Sequence, residues 1–591
     1  MSVSVLILTK NEDINIAECL ESLSFSDDIV LLDSFSTDRT VEIAQAFPNV
    51  RVLQREFDTE WKQRNFGLHE TKFKHDWVYI CDADERVPPE LGREIVQVAC
   101  DPDTTHCAYR LRYKNMYLGC WIRHATSYPV WILRLVRPDR VNYEMRETNV
   151  HPIVDGSIGE LSEHFIHYSF NGGLRRWYQK HNYYSTREAI EGVKARQGPA
   201  PSIGSVFQSD PMQRRRAIKN WSYRLRARAL FRLFISFFLN SGWLDGLAGL
   251  RYCLMISMYE SWIEIKINEM EAEARRAPSL PKLIGDIQPA PIQRPPLVEV
   301  LIPTFNEASR IAETVKNALN LGPVFVLDSF STDDTVRLAE QAGARVFKHR
   351  FENYSKQKNW GLQNLPFESP WVLILDADEK ITAALAAEIV ATLSVDTTTD
   401  GTFINRQLIW MGSRIRHGGL YPSWNLRLFR HGRAWYEDRS VHEHMICTGP
   451  TKSLKNVLLH VRDEQIAEFI EKHIHYADLE SDEWLRQRLQ PETVVPTRKL
   501  FQKHLRLRQW MRRRIWPRIP FRPLLRWVYM YLFRFGFLDG RAGWRLAWLM
   551  ANYEYMISTL YQDKLYAVRS AGAARPQAAA AAGPVHDTKP A

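Results

Sequence analysis

Trp371-Val-Leu-Ile-Leu-Asp376-Ala-Asp378-Glu379 is an apolar run that ends in two acids one residue apart. The run predicts a buried strand. Side chains at i and i+2 of a strand share a face, so Asp376 and Asp378 are expected to point the same way at its carboxyl end. Open α/β sheets place ligands at that end. Two hard oxygen donors there suit Mg2+ or Mn2+ carrying a diphosphate. One such triplet reads equally well as a surface turn. The chain supplies a control, because Trp77-Val-Tyr-Ile-Cys-Asp82-Ala-Asp84-Glu85 has the same pattern 294 residues earlier. Two matched copies point to one module built twice, each around its Asp-Ala-Asp.

The segments around the first copy alternate strand and helix. Val3 to Leu8 and Asp28 to Asp33 are apolar runs rich in β-branched residues, as is Val50 to Leu53. Between them, Ile16, Leu20 and Leu23 recur at helical spacing, and Thr40 to Ala46 continues from a polar turn as helix. Pro88-Pro89 opens a further helix. This alternation predicts a doubly wound, mostly parallel sheet. From about Ala108 to Tyr168 the pattern shifts to short mixed strands and loops, where acceptor specificity is expected. Trp177 to Gly192 reads as helix.

The series restarts at Val298. Thr9-Lys-Asn11-Glu12 returns as Thr304-Phe-Asn306-Glu307, and Asp33-Ser-Phe-Ser-Thr-Asp38 as Asp328-Ser-Phe-Ser-Thr-Asp333. Lys62-Gln-Arg64-Asn65 returns as Lys356-Gln-Lys358-Asn359, and the segment from Tyr128 to Arg134 as Tyr421 to Arg427. Gly242-Trp-Leu-Asp245-Gly returns as Gly536-Phe-Leu-Asp539-Gly, so the copies share their whole length. The reading divides the chain into a first module (1–200), a helical membrane-associating extension (201–277), a Pro-rich linker (278–296), a second module (297–490), a second extension (491–566) and a disordered Ala/Pro/Gly-rich tail (567–591).

The 591 residues carry a net charge of +10, which admits nucleic acid, anionic membrane or a polyanionic substrate. No nucleic-acid module is recognisable, so no nucleic-acid partner is expected. The 7 cysteines include no Cys-x-x-Cys pair, which argues against structural zinc or a disulfide framework and fits a reducing cytoplasm. The start of the chain lacks a basic n-region, so no secretory signal is expected. Positive charge concentrates in two basic aromatic stretches, Arg224 to Leu239 and Arg506 to Phe535. Neither holds the roughly 20 unbroken apolar residues of a spanning helix. Arginine and aromatic residues alternating with apolar ones fit an interfacial helix on an anionic leaflet.

The ordered set Thr-Phe-Asn306-Glu307, Asp328 to Asp333, Lys356-Gln-Lys-Asn359, Asp376-Ala-Asp378-Glu379 and Val441-His442-Glu443 resembles glycosyltransferase family 2, with its GT-A fold. The second module is most similar to the lipopolysaccharide core β-1,4-glucosyltransferases. The resemblance covers residues 1–270 and 297–566. It implies that Thr9, Glu12 and Asp33, and likewise Thr304, Glu307 and Asp328, hold the nucleoside. Lys62 and Arg64, and Lys356 and Lys358, would lie near the base or diphosphate. Asp82 with Asp84, and Asp376 with Asp378, would be the metal-binding pair, the second acid being the direct ligand of Mg2+ or Mn2+. It implies an inverting transfer that needs one base for the acceptor hydroxyl and a metal for the departing diphosphate. Glu443 is the candidate base of the second module, with His442 or His444 orienting it or the acceptor. Aligned through Tyr143-Glu-Met-Arg146 and Tyr436-Glu-Asp-Arg439, the Glu443 position is Val150 in the first module. Valine takes no proton. Either Glu147 shifts into the role, or His151 serves, or the first module binds without turnover.

The expectation is therefore a tandem, metal-dependent glycosyltransferase peripheral on the cytoplasmic face of the inner membrane. It would move sugar from a nucleotide-sugar donor, UDP-linked by resemblance, to a glycan or lipid-linked acceptor. Lipopolysaccharide core and exopolysaccharide are the products in view. A sugar-nucleotide nucleotidyltransferase would carry a Gly-rich phosphate loop, which Thr304-Phe-Asn-Glu is not. The non-enzyme alternative is a nucleotide-sugar-binding membrane scaffold with an inactive module.

Overall fold

A computed structural model of the chain describes residues 3–145, 150–200, 202, 204–205, 211–225, 227–273, 284–285, 296–396, 398–437, 445–462, 465–489, 519 and 521–581. Most of the Pro-rich linker and the basic stretch from Arg506 to Arg514 lie outside them. The chain forms two compact units: Met1–Glu271 with Ile466–Ile519 and Tyr553–Ala591, and Ala272–Gln465 with Pro520–Asn552.

In the first unit β1 (Val3–Thr9), β2 (Ile29–Asp33), β3 (Val50–Gln54) and β4 (Trp77–Asp82) form the parallel half of the sheet, in the order β3-β2-β1-β4. Alternate residues of β1 feed opposite faces. Val5 and Ile7 join one core cluster, while Leu6 packs in the other with Val30, Leu32 and Leu68. Burial on both faces is why these strands read as unbroken apolar runs rather than alternating ones. The chain runs outward from β1 to β3, then returns to β4 on the other side of β1. That reversal opens a crevice at the carboxyl ends of β1 and β4, where doubly wound sheets bind ligands.

After β5 (Glu85–Arg86) come β6 (Ala108–Tyr117), β7 (Cys120–Trp121), β8 (Trp131–Val136), β9 (Val141–Tyr143), β10 (Pro152–Val154) and β11 (Ile158–His167). The stretch read as short strands and loops thus holds two ten-residue strands that extend the sheet as β4-β8-β6-β11-β5. β8 runs antiparallel to β4, and β11 antiparallel to β5. Mixed polarity on exposed positions hid the strand period from the sequence.

The second unit repeats the design with β12 (Glu299–Thr304), β13 (Val324–Asp328), β14 (Arg345–Lys348), β15 (Trp371–Ile374), β16 (Glu379–Ile381), β17 (Gly401–Trp410), β18 (Ser413–Ile415), β19 (Trp424–Arg430), β20 (Ala434–Tyr436), β21 (Met445–Cys447) and β22 (Thr451–Arg462). Its order, β14-β13-β12-β15-β19-β17-β22-β16, matches the first strand for strand. Val300 and Ile302 face one core and Leu301 the other. Both modules are α/β, each with a mixed sheet whose first four strands in space run parallel.

Helix Gly173–Gln197 closes the first unit, and later parts of the chain pack on it. Asn182 donates to the Ala467 carbonyl at 2.9 Å, Arg175 pairs with Asp478 at 2.8 Å, and Asp563 accepts from the Leu174 amide at 3.0 Å. The last helix, Gly540–Ala581, continues past Ala567, where composition predicts the start of a disordered tail. Alanine is the strongest helix former, so an Ala-rich stretch following a packed helix extends it.

Candidate active site

Thr9, Asp33 and Asp82 close three neighbouring strands. The fully buried Asp33 accepts from the Ser36 amide at 2.9 Å, from Gln54 at 3.2 Å and from the Thr9 hydroxyl at 3.3 Å. Asp328 accepts from the Ser331 amide at 2.9 Å and the Thr304 hydroxyl at 3.4 Å. Asn11 and Asn306, both in the left-handed region, tie the two loops of each site together by accepting from the amides of Thr37 at 2.8 Å and Thr332 at 2.9 Å. Glu12 is held by Asn15 at 2.9 Å and Arg176 at 2.7 Å, and Glu307 pairs with Arg310 at 3.0 Å.

The acids do not all lie on a strand. β4 ends at Asp82 and β15 at Ile374, so Asp84, Asp376 and Asp378 stand in the tight turn that follows. The reason is the next residue. Glu85 reaches back to accept from the Asp82 amide at 3.2 Å, and Glu379 from the Asp376 amide at 3.0 Å. The turn still brings both acids of each pair into one cluster, since each second acid feels the charge of the first.

Arg134 on β8 and Arg427 on β19 organise that cluster. Arg134 donates to Asp82 at 2.5 Å and to the buried Glu85. Arg427 donates to Asp376 at 2.5 Å and to the buried Glu379 at 2.8 Å. Burial pushes Asp82 up, but Arg134 and Arg64 hold it well below the usual carboxylate range. Asp376 is held down in the same way by Arg427 and Lys358 against its burial. Glu85, buried and sharing one guanidinium with Asp82, is pushed up to about 7.

The second acid of each pair has a different neighbour. Asp84 Oδ2 faces His167 Nε2 at 3.3 Å, and Asp378 Oδ2 faces His460 Nε2 at 3.0 Å. The histidines come from β11 and β22, whose registers set them opposite Glu85 and Glu379. Among the described residues, Oδ1 of Asp84 and of Asp378 has no partner, whereas both oxygens of Asp82 and of Asp376 face cations. No three Cys, His, Asp or Glu side chains gather as a metal cage among the described residues. Mg2+ takes one or two carboxylates and completes its shell with phosphate oxygens and water, so a single free carboxylate oxygen beside the crevice suits it.

The Lys-Gln-x-Asn segments divide. Arg64 lies 3.7 Å from Asp82 and over the Tyr143 ring, and Lys358 lies 3.7 Å from Asp376 and over the Tyr436 ring. Lys62 and Lys356 instead pair with Asp58 and Glu352 one helical turn away and are exposed. Glu443 and Glu147 lie outside the described residues, as do His442 and His444. His151 is exposed, between Val150 and Pro152, which line the cleft.

In the first unit the crevice opens into a cavity of about 510 Å3. Thr9, Arg64, Asp82 and Arg134 line it from the sheet, and Tyr183, Tyr184 and Arg187 of helix Gly173–Gln197 line it with Tyr259 of the helical extension. Lys180 on the same helix stands over the Tyr184 ring and within electrostatic reach of Asp84, Asp82 and Glu12. Sequence reading gave no role to Arg134, Arg427, His167, His460 or Lys180. The repeat could have found the first four, because each pair recurs 293 residues apart.

Fold and site together define an α/β protein built in tandem, with an acid cluster at the switch point of each sheet. The description "Glycosyl transferase family 2" matches residues 4–181 and 299–448, more than half of the chain. The chain belongs to that family, through both of its modules. A lipopolysaccharide core biosynthesis glycosyltransferase, LpsC of Rhizobium meliloti, is 26% identical over 194 residues, covering 32% of this chain and 71% of the relative. An uncharacterised glycosyltransferase of Rickettsia felis is 41% identical over 93 residues, 16% of this chain. The match spans 32% of that relative's own length, about a third. A solved structure of glucosyl-3-phosphoglycerate synthase from Mycobacterium tuberculosis with Mn2+ and uridine diphosphate is 20% identical over 19% of this chain and 44% of its own, with a TM-score of 0.17.

Proposed function

We propose that each module transfers a sugar, with inversion, from a nucleotide-sugar donor to a glycan acceptor of the cell surface. The observation that carries this is the duplicated acid cluster at the switch point, where, among the described residues, Oδ1 of Asp84 and of Asp378 is without a partner while the first acids face cations. Asp33 and Asp328 would hold the nucleoside, and Arg64 and Lys358 the diphosphate. Asp84 and Asp378 would hold Mg2+ or Mn2+, which supplies charge neutralisation for the departing diphosphate. The acceptor oxygen bonds to the anomeric carbon as the bond to the diphosphate breaks. The hydroxyl proton passes to a base, Glu443 in the second module. Likeness to LpsC favours a lipopolysaccharide core acceptor, and the motif resemblance to the lipopolysaccharide core glucosyltransferases favours a UDP-hexose donor, with exopolysaccharide as the other acceptor in view. A lipid-linked acceptor would place the enzyme on the cytoplasmic face of the inner membrane.

Release of nucleoside diphosphate from a panel of nucleotide sugars, with and without Mn2+ and with acceptor extract, tests the reading. Asp84→Ala and Asp378→Ala are each expected to lower the turnover of their own module by about a hundredfold or more. A double variant that still releases nucleoside diphosphate at the native rate would overturn the assignment. An Asp84→Ala variant that left every product of the full-length chain unchanged would remove the first module from the assignment.

A further inference from the structure

We propose that the repeated Gly-Trp-Leu-Asp and Gly-Phe-Leu-Asp segments form two rigid, apolar tips that insert into the headgroup region of an anionic bilayer. This rests on the membrane location proposed above and assigns it to particular residues.

The two tips are built alike. Helix Arg228–Phe234 passes into a π turn, Ile235–Leu239, then through Ser241 in the left-handed region into the 3-10 turn Gly242–Asp245. Helix Arg522–Val528, the π turn Tyr529–Phe533, the left-handed Phe535 and the 3-10 turn Gly536–Asp539 repeat this in the second unit. No described helix is long and apolar enough to cross a membrane alone. Arg228–Leu239 and Gly242–Ala272 reach that apolarity only as a pair, and the pair is bent by 77°. A bent pair carries its apolar surface at the bend.

That surface is uncovered. Phe231, Phe234, Phe238, Leu239, Trp243 and Leu244 are exposed, Leu239 by 66%. Leu524, Phe533, Phe535, Phe537 and Leu538 are exposed in the second tip, Phe533 by 71%. Contiguous apolar patches of this kind mark interaction sites. The charges name the partner. Between residues 228 and 247 the exposed charge is Arg232 alone, and between 521 and 541 it is Arg534 and Arg541. Large apolar and aromatic side chains, with arginine and no exposed carboxylate, match the acyl boundary of an anionic leaflet. A protein partner would have to present the same complement twice.

The aspartate of each motif holds its tip rigid. Asp245 accepts from the amides of Arg123, His124 and Ala125 at 3.2, 2.8 and 2.8 Å. Asp539 accepts from the amides of Arg416 and His417 at 3.1 and 2.8 Å, and from the His417 ring at 2.8 Å. From the clamped residues the chain runs directly into β8 and β19, which carry Arg134 and Arg427 to the acids. Lipid contact at a tip therefore fixes the position of that module's acid cluster relative to the bilayer.

Sedimentation of the full-length protein with vesicles tests this, using phosphatidylcholine alone and phosphatidylcholine with phosphatidylglycerol. The native chain is expected to partition to the anionic vesicles. Phe238→Asp with Leu244→Asp, and Phe533→Asp with Leu538→Asp, should each lower partition roughly tenfold, and together abolish it. The milder Phe238→Ser and Phe533→Ser pair should give an intermediate loss with an unchanged Tm. If the native chain ignores both vesicles, the membrane location falls, and the tips' role with it. If it binds and the four-fold variant binds equally, another segment carries the binding and the tips do not. If the variants instead turn a lipid-free dimer into a monomer, the tips are a surface between copies of the chain and the proposal is overturned.

Discussion

Arg134 and Arg427 each pair with a carboxylate, Asp82 or Asp376, and donate to the buried glutamate beside it. Removing one partner of a buried ion pair leaves the others charged and unpaired, at a cost of about 3–5 kcal/mol. Arg427→Ala is therefore expected to destabilise the second unit by about that amount in urea unfolding, with Arg427→Lys recovering only part because the ammonium ends short of the Nη2 position that donates to both Asp376 and Glu379. Burial of Glu85 beside Asp82, against the opposing pull of Arg134, also sets a pH dependence. Glu85 holds its proton up to about 7 when folded, against an ordinary value of 4.5. Its contribution to stability is complete below the ordinary value and declines as pH rises through 7. Glu85→Gln should flatten that decline in the unfolding midpoint of the first unit measured across pH 5 to 8. At this scale the sequence was legible where chemistry clusters in one motif, as at Asp82 and Asp84. Arg134 and His167 were not, because pairing between distant strands, rather than spacing, brings them to the acids.

Helices pack on the sheets through small residues placed for close approach. Gly67 and Gly361 lie in helices Glu60–His69 and Tyr354–Asn364, over the β1–β2 and β12–β13 surfaces. A Cβ on Gly67 would come within 2.8 Å of a Leu6 methyl, and one on Gly361 within 3.0 Å of a Leu327 methyl. Gly67→Val should cost the first unit about 1–3 kcal/mol by overpacking, read as a lower denaturant midpoint. It should also weaken donor binding, because the same helix carries Arg64. The parallel strands and their helices could be read from sequence because both faces are buried and the runs are apolar. β6 and β11 could not. Buried Asn115 and half-buried arginine, lysine, glutamate and histidine break their apolar alternation, so the region reads as short mixed strands and loops.

Over the whole molecule, the two family matches are continuous in sequence but the first compact unit is not. Helix Gly173–Gln197 is buttressed by residues 466–489 and by residues beyond 553. A chain ending at residue 465 keeps every residue of the first family match. It should nevertheless show a lower thermal midpoint for the first unit than the full chain, by several degrees or more. Differential scanning calorimetry of the two proteins checks this.

That interleaving bears on the order of events at the ribosome. Domains generally finish folding as they emerge, amino-terminal first. Here the earlier module waits for nearly the last stretch of polypeptide before its scaffold is whole, while the later one has its sheet complete sooner. Translation arrested late would release a half-built first module, with its tyrosine-lined wall left without backing.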